Sequence, residues 1–133
     1  MIIMSIDAST KSTGIAIFNE DNLVYKDCLT ATASWSLLKR IVAIVNKIKD
    51  VLDKYKVDKI ILEEVHPEAA AANIKTWRAL MWLQAAINLM LYEEYPTIEV
   101  DYLYPSEWRK YCKIKQGRGT KREELKAADI KWA

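Results

Sequence analysis

Histidine, cysteine and glycine are scarce: 133 residues hold one His, two Cys and three Gly. Cys28 and Cys112 form no C-x-x-C pair, and the lone imidazole is His66, so neither a disulfide framework nor a zinc site is supported and both cysteines read as free thiols. No apolar run approaches the roughly 18 residues that a membrane-spanning helix needs. The amino terminus also lacks the basic, apolar, small-residue order of a secretion signal, so a cytoplasmic protein is expected.

What is present is ordinary in amount and uneven in placement. With 51% apolar and 29% charged residues, residues 1–133 have the size and composition of a single domain around one core. The formal charge of +2 says little, but Arg109, Lys110, Lys113, Lys115, Arg118, Lys121 and Arg122 follow one another with no Asp or Glu between them. Such a run repels itself unless it is solvated or faces an anion. In a loop between helices its usual partner is nucleic acid, and a merely solvated surface is the competing reading.

Along the chain, Ile2 to Asp7 is a short apolar run closing on the polar cluster Asp7 to Gly14, followed by runs at Gly14 to Phe18 and Leu23 to Leu29. Separated by turn residues at Asn19 to Asn22, these read as three antiparallel strands. From Ser34 to Tyr55, Leu38, Ile41, Val45, Ile48, Leu52 and Tyr55 recur every three or four residues, one face of a helix that Ser34 or Ser36 caps. Asp58 to Val65 reads as a buried strand, and Pro67 forbids its extension. The alanines at 69–72 lead into a helix from Ile74 to Tyr95, apolar around much of its circumference and so expected to be buried on two sides. Thr97 to Leu103 alternates as a fifth strand, Pro105 opens a short helix, and Thr120 with Glu123 forms the capping-box start of a last one.

A helical crossover permits the fourth strand to lie parallel beside the first. Asp7 and Glu63, each at the carboxyl end of its strand, then share one rim of the sheet, where open α/β sheets place their sites. Two like charges there need a cation between them, and oxygen donors without histidine or cysteine favour Mg2+ or Mn2+ over zinc. Taken singly, each acid reads equally as a strand end reaching water.

The segment Ser5-Ile6-Asp7-Ala8-Ser9-Thr10-Lys11-Ser12-Thr13-Gly14-Ile15-Ala16, the segment Ile61-Leu62-Glu63-Glu64-Val65 and the element order together resemble the RuvC-type Holliday junction resolvases, phage forms included, of the ribonuclease H-like superfamily. The resemblance implies a mixed five-stranded sheet flanked by helices, in which strands one to three are antiparallel and strands one, four and five parallel. It implies a metal-dependent endonuclease that cuts four-way or other branched DNA as a homodimer in a bacterial or phage-infected cell. Asp7 and Glu63, rather than Glu64, match catalytic acids holding two metal ions about 4 Å apart, with products ending in 5′-phosphate and 3′-hydroxyl. Arg109 and Lys121 fall where the family sets basic residues against the phosphates near the cleaved bond, with Lys113, Lys115, Arg118 and Arg122 as further DNA contacts. His66 stands where relatives carry a phenylalanine that stacks on junction bases, and is the candidate wedge; a surface histidine is the competing reading. Trp77, Met81, Trp82 and Met90 are candidates for the dimer interface.

Relatives also carry an Asp-x-x-Asp pair on a last helix. This sequence reaches Ala133 without such a segment, and Asp129 follows Lys121 too closely to belong to one. With two acids instead of four, weak metal binding and poor or absent cleavage are expected, and a catalytically incomplete junction-binding module becomes the non-enzymatic alternative. A phosphotransferase of the sugar-kinase and actin-like superfamily also begins with an Asp and a Ser/Thr-Gly turn. It normally needs a second such domain and phosphate loop, for which three glycines and one domain leave no room.

Overall fold

Alternating burial along the first strand sets the two faces of the sheet. In the computed structural model, which describes residues 1–65, 69–104 and 106–107, β1 (Ile2–Asp7) buries Met4 and Ile6. Ile3, Ser5 and Asp7 therefore belong to the opposite face. β2 (Ser12–Asn19) and β3 (Asn22–Thr30) complete an antiparallel meander in which Met4 pairs with Ile17, Ile6 with Ile15, and Thr13 with Leu29. The turn between β2 and β3 holds Glu20 at a φ of 53°, and the Glu20 carboxylate accepts a hydrogen bond from the amino-terminal ammonium.

α1 (Leu37–Lys54) crosses over to the next strand, capped by the Ser36 hydroxyl, which accepts from Lys39 N at 3.3 Å. Its buried arc is Ile41, Ile44, Ile48, Val51 and Leu52. Leu38, which the periodicity assigns to that face, lies in the first turn at the margin of the arc and is 63% exposed. β4 (Lys59–Glu63) then runs parallel to β1, with Met4 beside Ile60 and Ile6 beside Leu62. Asp58 pins the start of this pair at both ends, its carboxylate accepting from Ile2 N at 2.7 Å and its own N–H donating to Ile2 O at 2.8 Å. The strand is shorter than its apolar run: β1 ends at Asp7 and offers Glu64 and Val65 no ladder partner.

The alanine run forms a separate short helix, α2 (Ala69–Ala72), because Asn73 breaks away in an extended conformation and caps α3 (Ile74–Glu94) by accepting from Thr76 N at 3.2 Å. α3 buries Leu83, Gln84, Ile87, Met90 and Leu91 and leaves Ile74, Trp82, Leu89 and Tyr92 at 46–81% exposure. One side of it is buried in this chain, not two. α1 and α3 meet at their ends: Lys49 pairs with Glu94 at 3.0 Å, and Tyr95 donates to the Asp53 carboxylate. Burial, and then that hydrogen bond, push the Tyr95 phenol up to about 12. β5 (Glu99–Leu103) flanks β4, beginning where Glu99 N donates to Asp58 O at 3.2 Å, and completes the order β3-β2-β1-β4-β5.

The chain divides into two compact units, Met1–Tyr102 and Leu103–Ala133. In the second, Glu107 closes a local ring with Tyr104, accepting from its N–H at 2.6 Å and donating to its carbonyl at 2.9 Å. His66 and the whole basic run, Arg109, Lys110, Lys113, Lys115, Arg118, Lys121 and Arg122, lie outside the described residues. No helix among the described residues is long and apolar enough to cross a membrane.

Candidate active site

The β1–β4 register ends at Ile6 and Leu62, and one further step along it sets Asp7 beside Glu63. Both follow a buried residue in strands of period two, so both belong to the face opposite the one on which Met4, Ile6, Ile60 and Leu62 are buried, on strands about 4.8 Å apart. Asp7 is exposed and Glu63 half-buried. Glu64 goes the other way. Burial, and then the Glu64 charge, raise the Tyr102 phenol above its ordinary value, and Tyr102 hydrogen-bonds to Asn88 on α3. That places Glu64 on the helix-covered side, apart from Asp7.

The pairing row continues beyond Asp7: Gly14 of β2 stands opposite it, and Cys28 of β3 stands opposite Gly14. A Cβ built on Gly14 would lie 3.8 Å from Asp7 Cβ, which is ordinary contact, so the glycine relieves no clash and leaves one flank of the carboxylate open. The turn after Asp7 is fixed from below. Thr13 is fully buried, and its hydroxyl donates to Ser9 O at 2.7 Å while accepting from Ser9 N at 3.2 Å. Ala31 N donates to Lys11 O at 3.0 Å, tying the same turn to the end of β3.

The donor set is two carboxylates with no imidazole or thiolate, which suits a hard divalent cation. Among the described residues no group of three or more His, Cys, Asp and Glu is placed to hold a metal. Two residues here escape the sequence reading. Thr13 lies inside the Asp7 to Gly14 motif but carries no mark of its hydroxyl clamp. Gln84 of α3, 3% exposed, donates from Nε2 to Glu63 O at 2.6 Å, and the signal for it is an amide among apolar neighbours in that helix.

A family model described as crossover junction endodeoxyribonuclease RuvC matches residues 3–110. A crossover junction endodeoxyribonuclease RuvC from Dictyoglomus thermophilum is 30% identical over 141 residues, covering 98% of this chain and 85% of the relative. In fold the chain is similar to RuvC of T. thermophilus, solved in complex with a Holliday junction substrate, with a TM-score of 0.74 and 12% identity over 99% of this chain and 90% of that one. It is also similar to the Fowlpox virus resolvase, solved with substrate Holliday junction DNA, with a TM-score of 0.58 and 21% identity over 98% and 72%. The mixed sheet and these likenesses bear out the ribonuclease H-like α/β fold expected from the sequence.

Proposed function

The chain belongs to the RuvC family of crossover junction endodeoxyribonucleases, and from that premise we propose that Asp7 and Glu63 are the acids with which it cuts DNA. Its function is structure-selective cleavage of Holliday and other branched junctions by phosphodiester hydrolysis, dependent on divalent metal ions as is general for the family. The observation that supports the site is the parallel register of β1 and β4, whose last row, Ile6 beside Leu62, lies one residue before Asp7 and Glu63. Asp7 and Glu63 would hold a divalent cation, which would supply positive charge for polarising the phosphodiester and the attacking water. The protein's own contribution is placement. Asp7 and Glu63 hold the ion, Gly14 keeps a flank of Asp7 open to the scissile phosphate, and the Thr13–Ser9 clamp holds the turn below. An all-oxygen donor set supports Mg2+ as the ion, with Mn2+ able to substitute. The products end in 5′-phosphate and 3′-hydroxyl. The phosphotransferase reading is not favoured, because the family match runs through both acidic strands.

Arg109, Lys113, Lys115, Arg118, Lys121 and Arg122 bind the backbone of the junction arms in this reading, and His66 stacks at its centre. Their charge, spacing and matching family positions support it. Contacts of that kind give affinity and register rather than sequence choice. Two equivalent strands must be cut, so the working form is a twofold dimer. The outer face of α3, with Ile74, Trp82, Leu89 and Tyr92 exposed, supports α3 as the dimer surface; Met90, at 7% exposure, packs in the core instead. In this reading the protein works in the cytoplasm of a bacterial or phage-infected cell.

The test is a labelled synthetic four-way junction incubated with the chain and Mg2+. Paired nicks with 5′-phosphate ends that disappear in Asp7→Asn and in Glu63→Gln support the reading. Binding without nicking by the unaltered chain leaves a junction-binding module in its place.

A further inference from the structure

We propose that Gln84 is a positioning residue for the acidic pair: its side-chain amide holds the backbone where β4 leaves the sheet and thereby orients the Glu63 carboxylate. The inference rests on the reading of Glu63 as a metal ligand. Gln84 and Thr13 are the two buried polar side chains among the described residues, and each braces one of the two acidic strand ends. On α3, Gln84 lies in the buried arc with Leu83, Ile87 and Leu91, where a leucine would bury more apolar area and leave nothing to satisfy. The amide is there for a partner, and the partner is the Glu63 carbonyl at 2.6 Å.

That carbonyl sits at a weak point. On the β1 side the ladder stops at Ile6 and Leu62, and β4 itself ends at Glu63. Asp7 and Glu63 repel one another when no cation lies between them. That repulsion acts at the end of β4, where the strand leaves the sheet. A donor anchored in the core through Leu83 and Ile87, both 0% exposed, opposes it. The contact also stays clear of the chemistry. Gln84 reaches the backbone from the helix-covered face, whereas the Glu63 carboxylate leaves on the other, so Gln84 acts through Glu63 and does not touch metal or substrate.

The experiment compares the unaltered chain with Gln84→Met, which keeps length without a donor, Gln84→His, whose ring N–H reaches about as far, and Glu63→Gln. Mn2+ alone is titrated calorimetrically, and cleavage of a four-way junction is timed in parallel, with junction affinity measured in Ca2+. Loss of a residue that orients a metal ligand typically costs about 10–100-fold in metal affinity or activity. We therefore expect Gln84→Met to bind Mn2+ about tenfold more weakly and to cleave about tenfold more slowly at saturating junction, with junction affinity unchanged and Gln84→His restoring most of both. If Gln84→Met binds Mn2+ within twofold of the unaltered chain while Glu63→Gln loses it, the positioning inference falls and the Glu63 reading stands. If Glu63→Gln binds Mn2+ as the unaltered chain does, or that chain does not bind it, the reading of Glu63 falls and takes this inference with it.

Discussion

The two ends of the sheet treat charge in opposite ways. Where β1, β4 and β5 begin, every acid has an answering group. Asp58 accepts the Ile2 N–H at 2.7 Å, and Lys59 lies 2.6 Å from Asp101 and 3.8 Å from Glu99. The hydrogen bond to Asp101 holds the Lys59 ammonium above its usual value. Where β1 and β4 finish, Asp7 makes no ion pair among the described residues and has another acid as its neighbour along the sheet row. The bracing there comes from uncharged groups, the Thr13 hydroxyl below one strand and the Gln84 amide behind the other. Asp58, Glu99 and Asp101 are answered within the fold, whereas Asp7, among the described residues, is not.

The sharpest way to break this contrast is Asp7→Asn. In the proposed site it removes a direct ligand, so cleavage of a four-way junction should fall by more than the roughly hundredfold that bounds losses one shell further out. The metal-free melting temperature should hold or rise slightly, since one of two repelling charges is gone. Next comes Gly14→Val. A valine suits a strand better than glycine does, and its Cβ meets Asp7 Cβ at ordinary contact distance, 3.8 Å. Stability should therefore hold or increase while cleavage drops about tenfold, because the open flank of the carboxylate is filled, a loss of the size seen for altered ligand surroundings. A parallel fall in stability and cleavage would show that Gly14 is structural only.

At the neutralised end the effects are smaller and concern stability alone. Tyr95 has its phenol raised from 10.0 to about 12, so its neutral form is favoured in the folded chain. That stabilisation is complete below pH 10 and is lost as pH rises through about 12. Tyr95→Phe should cost about 1 kcal/mol near neutrality, the size of one hydrogen bond. It should also flatten the alkaline fall in denaturant-melt stability over that window. Smallest of all is Lys59→Met, which should leave junction cleavage unchanged and move the melting temperature little, since exposed ion pairs contribute little. A marked loss of cleavage in either variant would erase the distinction between the two ends.

The acidic rim was the most legible part of this molecule. Ile2 to Asp7 and Asp58 to Val65 are short apolar runs with acids at or near their carboxyl ends and one helix between them, and period two sets Glu63 and Glu64 on opposite faces. Features that depend on tertiary reach were not legible. Nothing local in α3 says that Gln84 meets β4, because the helix is apolar around most of its circumference and its period marks no single buried face. Val65 has strand propensity but finds no neighbour, because the end of β1 at Asp7 decides where β4 stops. Asn73 breaks what reads as continuous helix, since an amide side chain that caps α3 also ends the alanine run before it. For Leu38, periodicity named the helix correctly and misjudged the edge of its buried arc.

The account stands most directly on where a divalent ion settles. Crystals of the chain soaked in Mn2+ and measured at a wavelength where manganese scatters anomalously should show a peak in contact with carboxylate oxygens of both Asp7 and Glu63, at roughly 2.0–2.2 Å, the range for small hard cations on oxygen. A peak elsewhere on the protein, or one that touches neither acid, would contradict the claim that these two strands are paired to share a metal.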